Sequence, residues 1–268
     1  GSGHNSLTST LLYEQARAIV LDHLGLHEKG HTVIFCSPRR AELLGAQLGR
    51  LSCRTVSSQD MGLPLGLRAL AVGRTALPAG APVEPGGGTA RLVFPGRVIW
   101  ARGADKFEAG TPAIVNVIAF ARALQLRRQF GADAFLHAAA EKRTAADILY
   151  GDELENLSGR ELLAALRPTL TGRGRSVPTV AGDKPFTNLD NAASTPTFEP
   201  IWDAVCQAWR QGEPVQREIV QEVKSICAQV LAAPPADYDV IFSSNTTEAI
   251  NLAAESLGRE AGPGMRPV

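Results

Sequence analysis

Two stretches of this 268-residue chain superpose without a gap when one is slid along by 207 positions. Leu24 falls on Leu231, Ile19 on Ile226, Arg17 on Lys224, and Val33-Ile34-Phe35 on Val240-Ile241-Phe242. In each stretch apolar residues recur at helical spacing, a turn follows, and a short apolar run then reads as a strand. In the first, Leu12, Ala16, Ile19, Val20 and Leu24 trace the helix face, Gly25 stops it, and HTVIFCS is a buried strand. Any two helix-turn-strand units of an α/β protein look somewhat alike, but an ungapped match ending in the same VIF points to a duplicated unit. The chain is therefore read as α/β, with the unit present twice.

The two copies part after their strands, and the difference is chemical. The second VIF leads through Ser243-Ser244-Asn245-Thr246-Thr247-Glu248 into a helix predicted over 249–257. A strand that feeds a helix through hydroxyl residues offers free backbone N–H groups and the positive helix end to an anion, and phosphate is the natural guest. The plainer alternative is that Asn245 or Thr246 only caps the helix, which such residues do routinely. The first copy reads Cys36-Ser37-Pro38-Arg39-Arg40, so Arg39 and Arg40 stand where Thr246 and Thr247 stand. Arginine binds phosphate too, but as a long fork and not as a compact cradle.

Between the copies, RLVFPGRVIW reads as a strand, and Thr111-Pro112 opens a helix whose face runs through Ile114, Ile118, Ala121 and Leu124. Gly86-Gly87-Gly88 lacks the lysine and spacing of a P-loop and reads as a flexible turn. Residues 132–168 read as helical, with Ser158 and Glu161 as a capping box, and 171–185 as linker. At Asn188, NLDNAASTP followed by helical spacing reads as the opening of a new domain.

Composition narrows the function. Twenty-seven basic and 27 acidic side chains cancel, which leaves no global field for nucleic acid or an anionic membrane. No apolar run reaches the roughly 18 to 20 residues of a membrane span. Four cysteines, Cys36, Cys53, Cys206 and Cys227, form no C-x-x-C pair, which argues against a metal site or a disulfide framework and fits a cytoplasmic protein.

Five motifs together, NLDNAAST, VIFSSNTTEAINLAAESL, GLPLGLRALAVG, EPGGG and KFEAGTP, resemble the class V aminotransferases, the cysteine desulfurase-like enzymes that use pyridoxal phosphate. The resemblance implies part of a fold-type I large domain, a mixed sheet flanked by helices, in a homodimer. It also implies that Asn245, Thr246 and Thr247 hold the cofactor phosphate in the second copy, and that Thr111 reaches a partner's phosphate across the dimer. Asn191 would lie near a small amino-acid substrate, and Lys106 stands where relatives carry the arginine that grips its carboxylate. The motif order is reversed, since the family's late blocks precede its early ones here. The expected organisation is a tag remnant at 1–6, a shortened and degenerate first domain at 7–135, a helical segment and linker at 136–186, and the amino-terminal part of a second domain at 187–268.

What the family needs for catalysis is missing. Its Schiff-base lysine follows a Ser-x-His before a Gly-Pro-x-Gly turn, and here Val56-Ser57-Ser58-Gln59-Asp60-Met61 takes that place, with Asp60 for the lysine. A carboxylate cannot form an imine. The five lysines, Lys29, Lys106, Lys142, Lys184 and Lys224, fit no such context, and no residue is assigned a catalytic or metal-binding role. Between Leu48 and Cys53 the family's long segment with the pyridine-nitrogen aspartate and the ring-stacking histidine is also lacking. The expectation is an inactive piece of a pyridoxal-phosphate protein. The alternatives are a dimerisation or regulatory scaffold for a complete relative, and a complementary chain that supplies the missing segments.

Overall fold

The computed structural model describes residues 4–48, 53–132, 142–151, 153–189 and 195–260. The first predicted helix is α1 (His4–His23), which starts inside the segment set aside as a tag remnant. It ends as foreseen at Gly25, whose φ of 66° lets Leu26 N bond back to Leu21 O and Gly25 N to Asp22 O, the paired bonds of a Schellman turn. HTVIFC becomes β1 (His31–Cys36), and α2 (Pro38–Leu48) follows with proline in its first turn. Then come β2 (Arg54–Ser57) and β3 (Arg68–Gly73), which form one sheet with β1 in the order β1-β3-β2.

Both pairings are antiparallel, from His31 opposite Gly73 to Cys36 opposite Arg68, and from Arg54 opposite Ala71 to Ser57 opposite Arg68. This corrects the expected mixed sheet, because among the described residues no strand pairs parallel. Strand side chains alternate between faces. Ile34 and Cys36 of β1 and Leu70 and Val72 of β3 cluster with Ala41 and Leu44 of α2 and with Ala104 and Phe107. On the α1 side, the Tyr13 ring meets Phe35 edge to face at 5.3 Å. Each fully buried Leu, Ile or Phe in such a core contributes about 1.5–3 kcal/mol.

RLVFPGRVIW is two strands, β4 (Ala90–Phe94) and β5 (Arg97–Trp100), because Pro95 and Gly96 at φ 74° turn the chain between them. The next helix, α3 (Ile114–Phe130), begins just past Thr111-Pro112 and packs on α1.

Residues 138–241 form a second compact unit. It holds α4 (Ala145–Leu149), α5 (Gly159–Leu166), the two-residue strands β6 (Ser176–Val177) and β7 (Lys184–Pro185), α6 (Glu199–Trp209) and α7 (Glu213–Val230). The predicted linker thus carries a small antiparallel hairpin. Ser158 makes no side-chain cap bond, so the predicted capping box is absent there. It occurs instead at Thr144 and Asp147, which bond each other's backbone N–H at the start of α4.

The last element is α8 (Thr246–Glu260), and residues 242–268 cluster with residues 1–137 in the first unit. The second VIF, expected as a strand, forms none: Val240, Ile241 and Phe242 have no ladder, and Ile241 and Phe242 are exposed. A strand exists only by pairing, and among the described residues none pairs with this segment. Among the described residues no helix is long and apolar enough to cross a membrane, and no cluster of His, Cys, Asp or Glu is arranged to hold a metal.

Candidate functional site

Where α8 begins, the chain's own side chains occupy the place in which an anion was foreseen. Asn245 Oδ1 accepts from Glu248 N at 2.9 Å, which caps the helix. Glu248, 4% exposed, turns its carboxylate back over the same end. Oε2 accepts from Ser244 N at 2.8 Å and from Ser244 Oγ, and Oε1 accepts from Ser37 Oγ at 2.8 Å. Burial on its own raises the Glu248 carboxyl, but these hydrogen bonds and the nearby Arg40 charge outweigh it and hold the group below the usual carboxylate range. A negative group in the first turn of a helix is also favoured by the helix dipole. A phosphate seated on these donors would have to displace Glu248.

Two glycine-bearing segments bring this helix end to the rest of the unit. Asn245 Nδ2 donates to Ala109 O at 3.3 Å and to Thr111 O at 3.2 Å, within the KFEAGTP segment. Gly110 between them has φ +83°, and a Cβ there would stand 2.7 Å from Asn245 Oδ1. In EPGGG, a Cβ on Gly86 would run into Thr247 Cγ2, so the threonine methyl fills the space that glycine leaves. Asn251 Nδ2 completes the seam on Pro85 O at 3.1 Å.

The two arginines that follow β1 meet carboxylates. Arg40, 4% exposed, holds Glu84 Oε2 through Nε at 2.6 Å and Ala109 O through Nη1 at 2.9 Å. Arg39 joins Glu84 Oε1 at 2.5 Å and Glu255 of α8 at 3.1 Å. The segment itself is anchored by Glu108, which accepts from Arg17 Nη1 and Nη2 and from Phe35 N, all at 2.7 Å, and from Tyr13 OH at 3.1 Å.

Of the residues singled out in the sequence, Asn245, Thr247 and Thr111 come together here, with Thr246 exposed at the same helix end. Thr111 takes part through its backbone carbonyl. Lys106 is elsewhere in function: 5% exposed, it donates from Nζ to Pro78 O at 2.5 Å, and burial lowers its pKa. Asn191 lies outside the described residues. Asp60, expected in the lysine position, is exposed and accepts from Ser57 N at 2.7 Å, so it closes a turn. Sequence reasoning missed Glu84, Glu108 and Glu248. All three stand inside quoted motifs, Glu84 in EPGGG, Glu108 in KFEAGTP and Glu248 in NTTE, but a carboxylate's partner is a tertiary fact.

Beside this seam lies a cavity of about 350 Å³ to which Arg40, Thr111 and Asn245 contribute. Among the described residues that line it there is no lysine. Lys29, Lys142 and Lys184 are exposed, and Lys224 pairs with Asp239 at 3.4 Å in the second unit.

The sequence matches the family described as Aminotransferase class-V over residues 48–172 and 187–266. No curated protein and no solved structure matches it.

Proposed function

This chain belongs to the class V aminotransferase family of pyridoxal-phosphate enzymes, and from that premise we propose that it is a non-catalytic member, one that keeps the framework around the cofactor's anionic end without an amine to hold the aldehyde. The observation that carries this reading is Glu248. Its buried carboxylate accepts from Ser244 N and Ser37 Oγ beside the start of α8, so a negative group already sits next to the place where a phosphate would bind. With no lysine among the described residues on the cavity wall, the residues present there do not fit the cofactor's aldehyde. No step of its chemistry is therefore assigned to them.

The tandem organisation is part of the proposal. The break between matched segments falls at 173–186, where the late-family motifs give way to the early ones, which supports two copies in one chain. The contact between Asn245 and Thr111 supports it too. The resemblance puts the KFEAGTP segment of one copy beside the phosphate loop of another, and here one chain supplies both. The desulfurase likeness concerns ancestry, not activity. Cys36 lies in the core, where burial pushes its thiol up to about 12, far from a nucleophile's range.

A scaffold role alongside a complete relative is the second reading. It is favoured by the two-stranded hairpin β4–β5, which leaves Leu92, Val93 and Phe94 exposed. Light scattering of the purified chain, alone and mixed with a complete class V enzyme, separates a scaffold from a monomer that binds nothing.

The test of the non-catalytic reading is covalent. The protein is incubated with pyridoxal phosphate, reduced with borohydride and mapped by mass spectrometry. We expect scattered, substoichiometric labelling of surface lysines. A stoichiometric adduct at a single lysine overturns the reading.

A further inference from the structure

Arg40 is buried, yet its Nη2 finds no hydrogen-bond partner among the described residues. Its other donors are engaged: Nε holds Glu84 and Nη1 holds Ala109 O. Those two bonds fix the guanidinium, and Arg39 on the second oxygen of Glu84 fixes the carboxylate in turn. A buried N–H without an acceptor is costly, so such a group marks a place where something else supplies one. Arg40 stands on the wall of the 350 Å³ cavity, and much of the remaining wall is apolar: Phe35, Leu65, Leu67, Pro112 and Val117.

We propose that this cavity reversibly binds a small organic monocarboxylate, with one carboxylate oxygen accepting from Arg40 Nη2 and a short apolar body lying against Phe35, Leu65 and Val117.

Charge selects the class of ligand. Arg39 and Arg40 lie among Glu84, Glu248 and Glu255, and Glu108, on the wall, is paired with Arg17. A dianion such as phosphate would enter surroundings in which carboxylates already offset the arginines. One negative charge on the free N–H gains a hydrogen bond in which both partners are charged, stronger than the guanidinium makes to a neutral carbonyl or a water. The apolar wall favours a hydrocarbon body over a polar one. The inference is independent of the non-catalytic reading, because the reduction experiment reads lysines whereas this binding involves none.

The experiment titrates the full chain with isobutyrate, its neutral methyl ester and inorganic phosphate, by calorimetry and saturation-transfer NMR. Isobutyrate is expected to bind saturably, and the ester and phosphate about tenfold more weakly or worse. Arg40→Lys keeps the charge and loses Nη2, and should weaken isobutyrate by about tenfold or more. Ala113→Trp places bulk at an exposed lining position without touching the core, and should abolish binding with the melting temperature unchanged. Should Arg40→Lys fail to fold, Ala113→Trp decides alone. The proposal is overturned by the absence of saturable isobutyrate binding, which would mean that water alone satisfies Arg40. Phosphate or ester binding as tight as isobutyrate, or affinity unchanged in the folded variants, overturns it equally.

Discussion

Asn245 Nδ2 donates to the carbonyl of Thr111 at 3.2 Å across 134 positions of sequence, while the Oδ1 of the same amide caps α8. One side chain therefore starts a helix and ties it to the loop before α3. Asn245→Ala should cost about 1–2 kcal/mol from the lost cap, with a further loss from the abandoned carbonyls. Asn245→Asp keeps the acceptor and loses the donor, so it should retain the cap and release the loop. Urea unfolding with amide hydrogen exchange along α8 reads both. Wild-type protection of α8 in Asn245→Ala would refute the assignment.

Gly110 and Gly88 share a left-handed backbone, at φ +83° and +86°, but a Cβ on Gly88 meets nothing within 4 Å. Gly88→Ala should cost only the conformational penalty, about 1–2 kcal/mol. Gly110→Ala pays that and also runs into Asn245. Combining it with Asn245→Ala should then cost less than the sum of the two single changes, which a double-mutant cycle measures.

Glu108 sits in a buried pair with Arg17, with both side chains less than a tenth exposed, and it also accepts from Phe35 N and Tyr13 OH. Removing one partner strands the other charge. Glu108→Ala should therefore lose about 3–5 kcal/mol. Tyr13 reports on the same pair: burial, followed by the Glu108 charge, raises its phenol pKa. Denaturant midpoints give the cost, and an exposed pair such as Arg217 with Glu213 should give about 0–1 kcal/mol in the same assay.

Glu248 makes a pH prediction. Its folded-state pKa lies below the ordinary glutamate value of about 4.3. A carboxyl depressed on folding contributes stability that is complete above its unfolded pKa and is lost as pH falls through the folded one. Stability should therefore decline below about pH 4.3, and Glu248→Gln should flatten that acid limb while lowering stability at pH 7. Melting temperatures from pH 3 to 7 for the two proteins check it. Parallel curves would show that Glu248 does not titrate as described.

Much of the local structure was legible in the residues. The spacing of Ala16, Ile19 and Val20, the stop at Gly25 and the apolar run Val33-Ile34-Phe35 are local codes, and the chain obeys them in α1 and β1. The same codes misread Val240-Ile241-Phe242, because a strand needs an edge to pair with and periodicity does not say whether one is near. They also took RLVFPGRVIW as one strand, although Pro95-Gly96 carries its own turn signal. At the candidate site, NTTE announced a helix start, but the occupant of that helix end was hidden: Glu248 is an ordinary first-turn acid until Ser37 arrives from 211 positions away.

By itself, then, the sequence determined the first helix, its stop at Gly25, the strand that follows and the family, since each is written in residue identity and spacing. Tertiary structure alone decided that α8 packs with the amino-terminal elements, that Glu248 fills the helix end, and that Arg40 keeps one donor facing no partner. Those outcomes depend on which groups leave water together, and a buried charge or N–H is satisfied or stranded only by neighbours that folding brings to it.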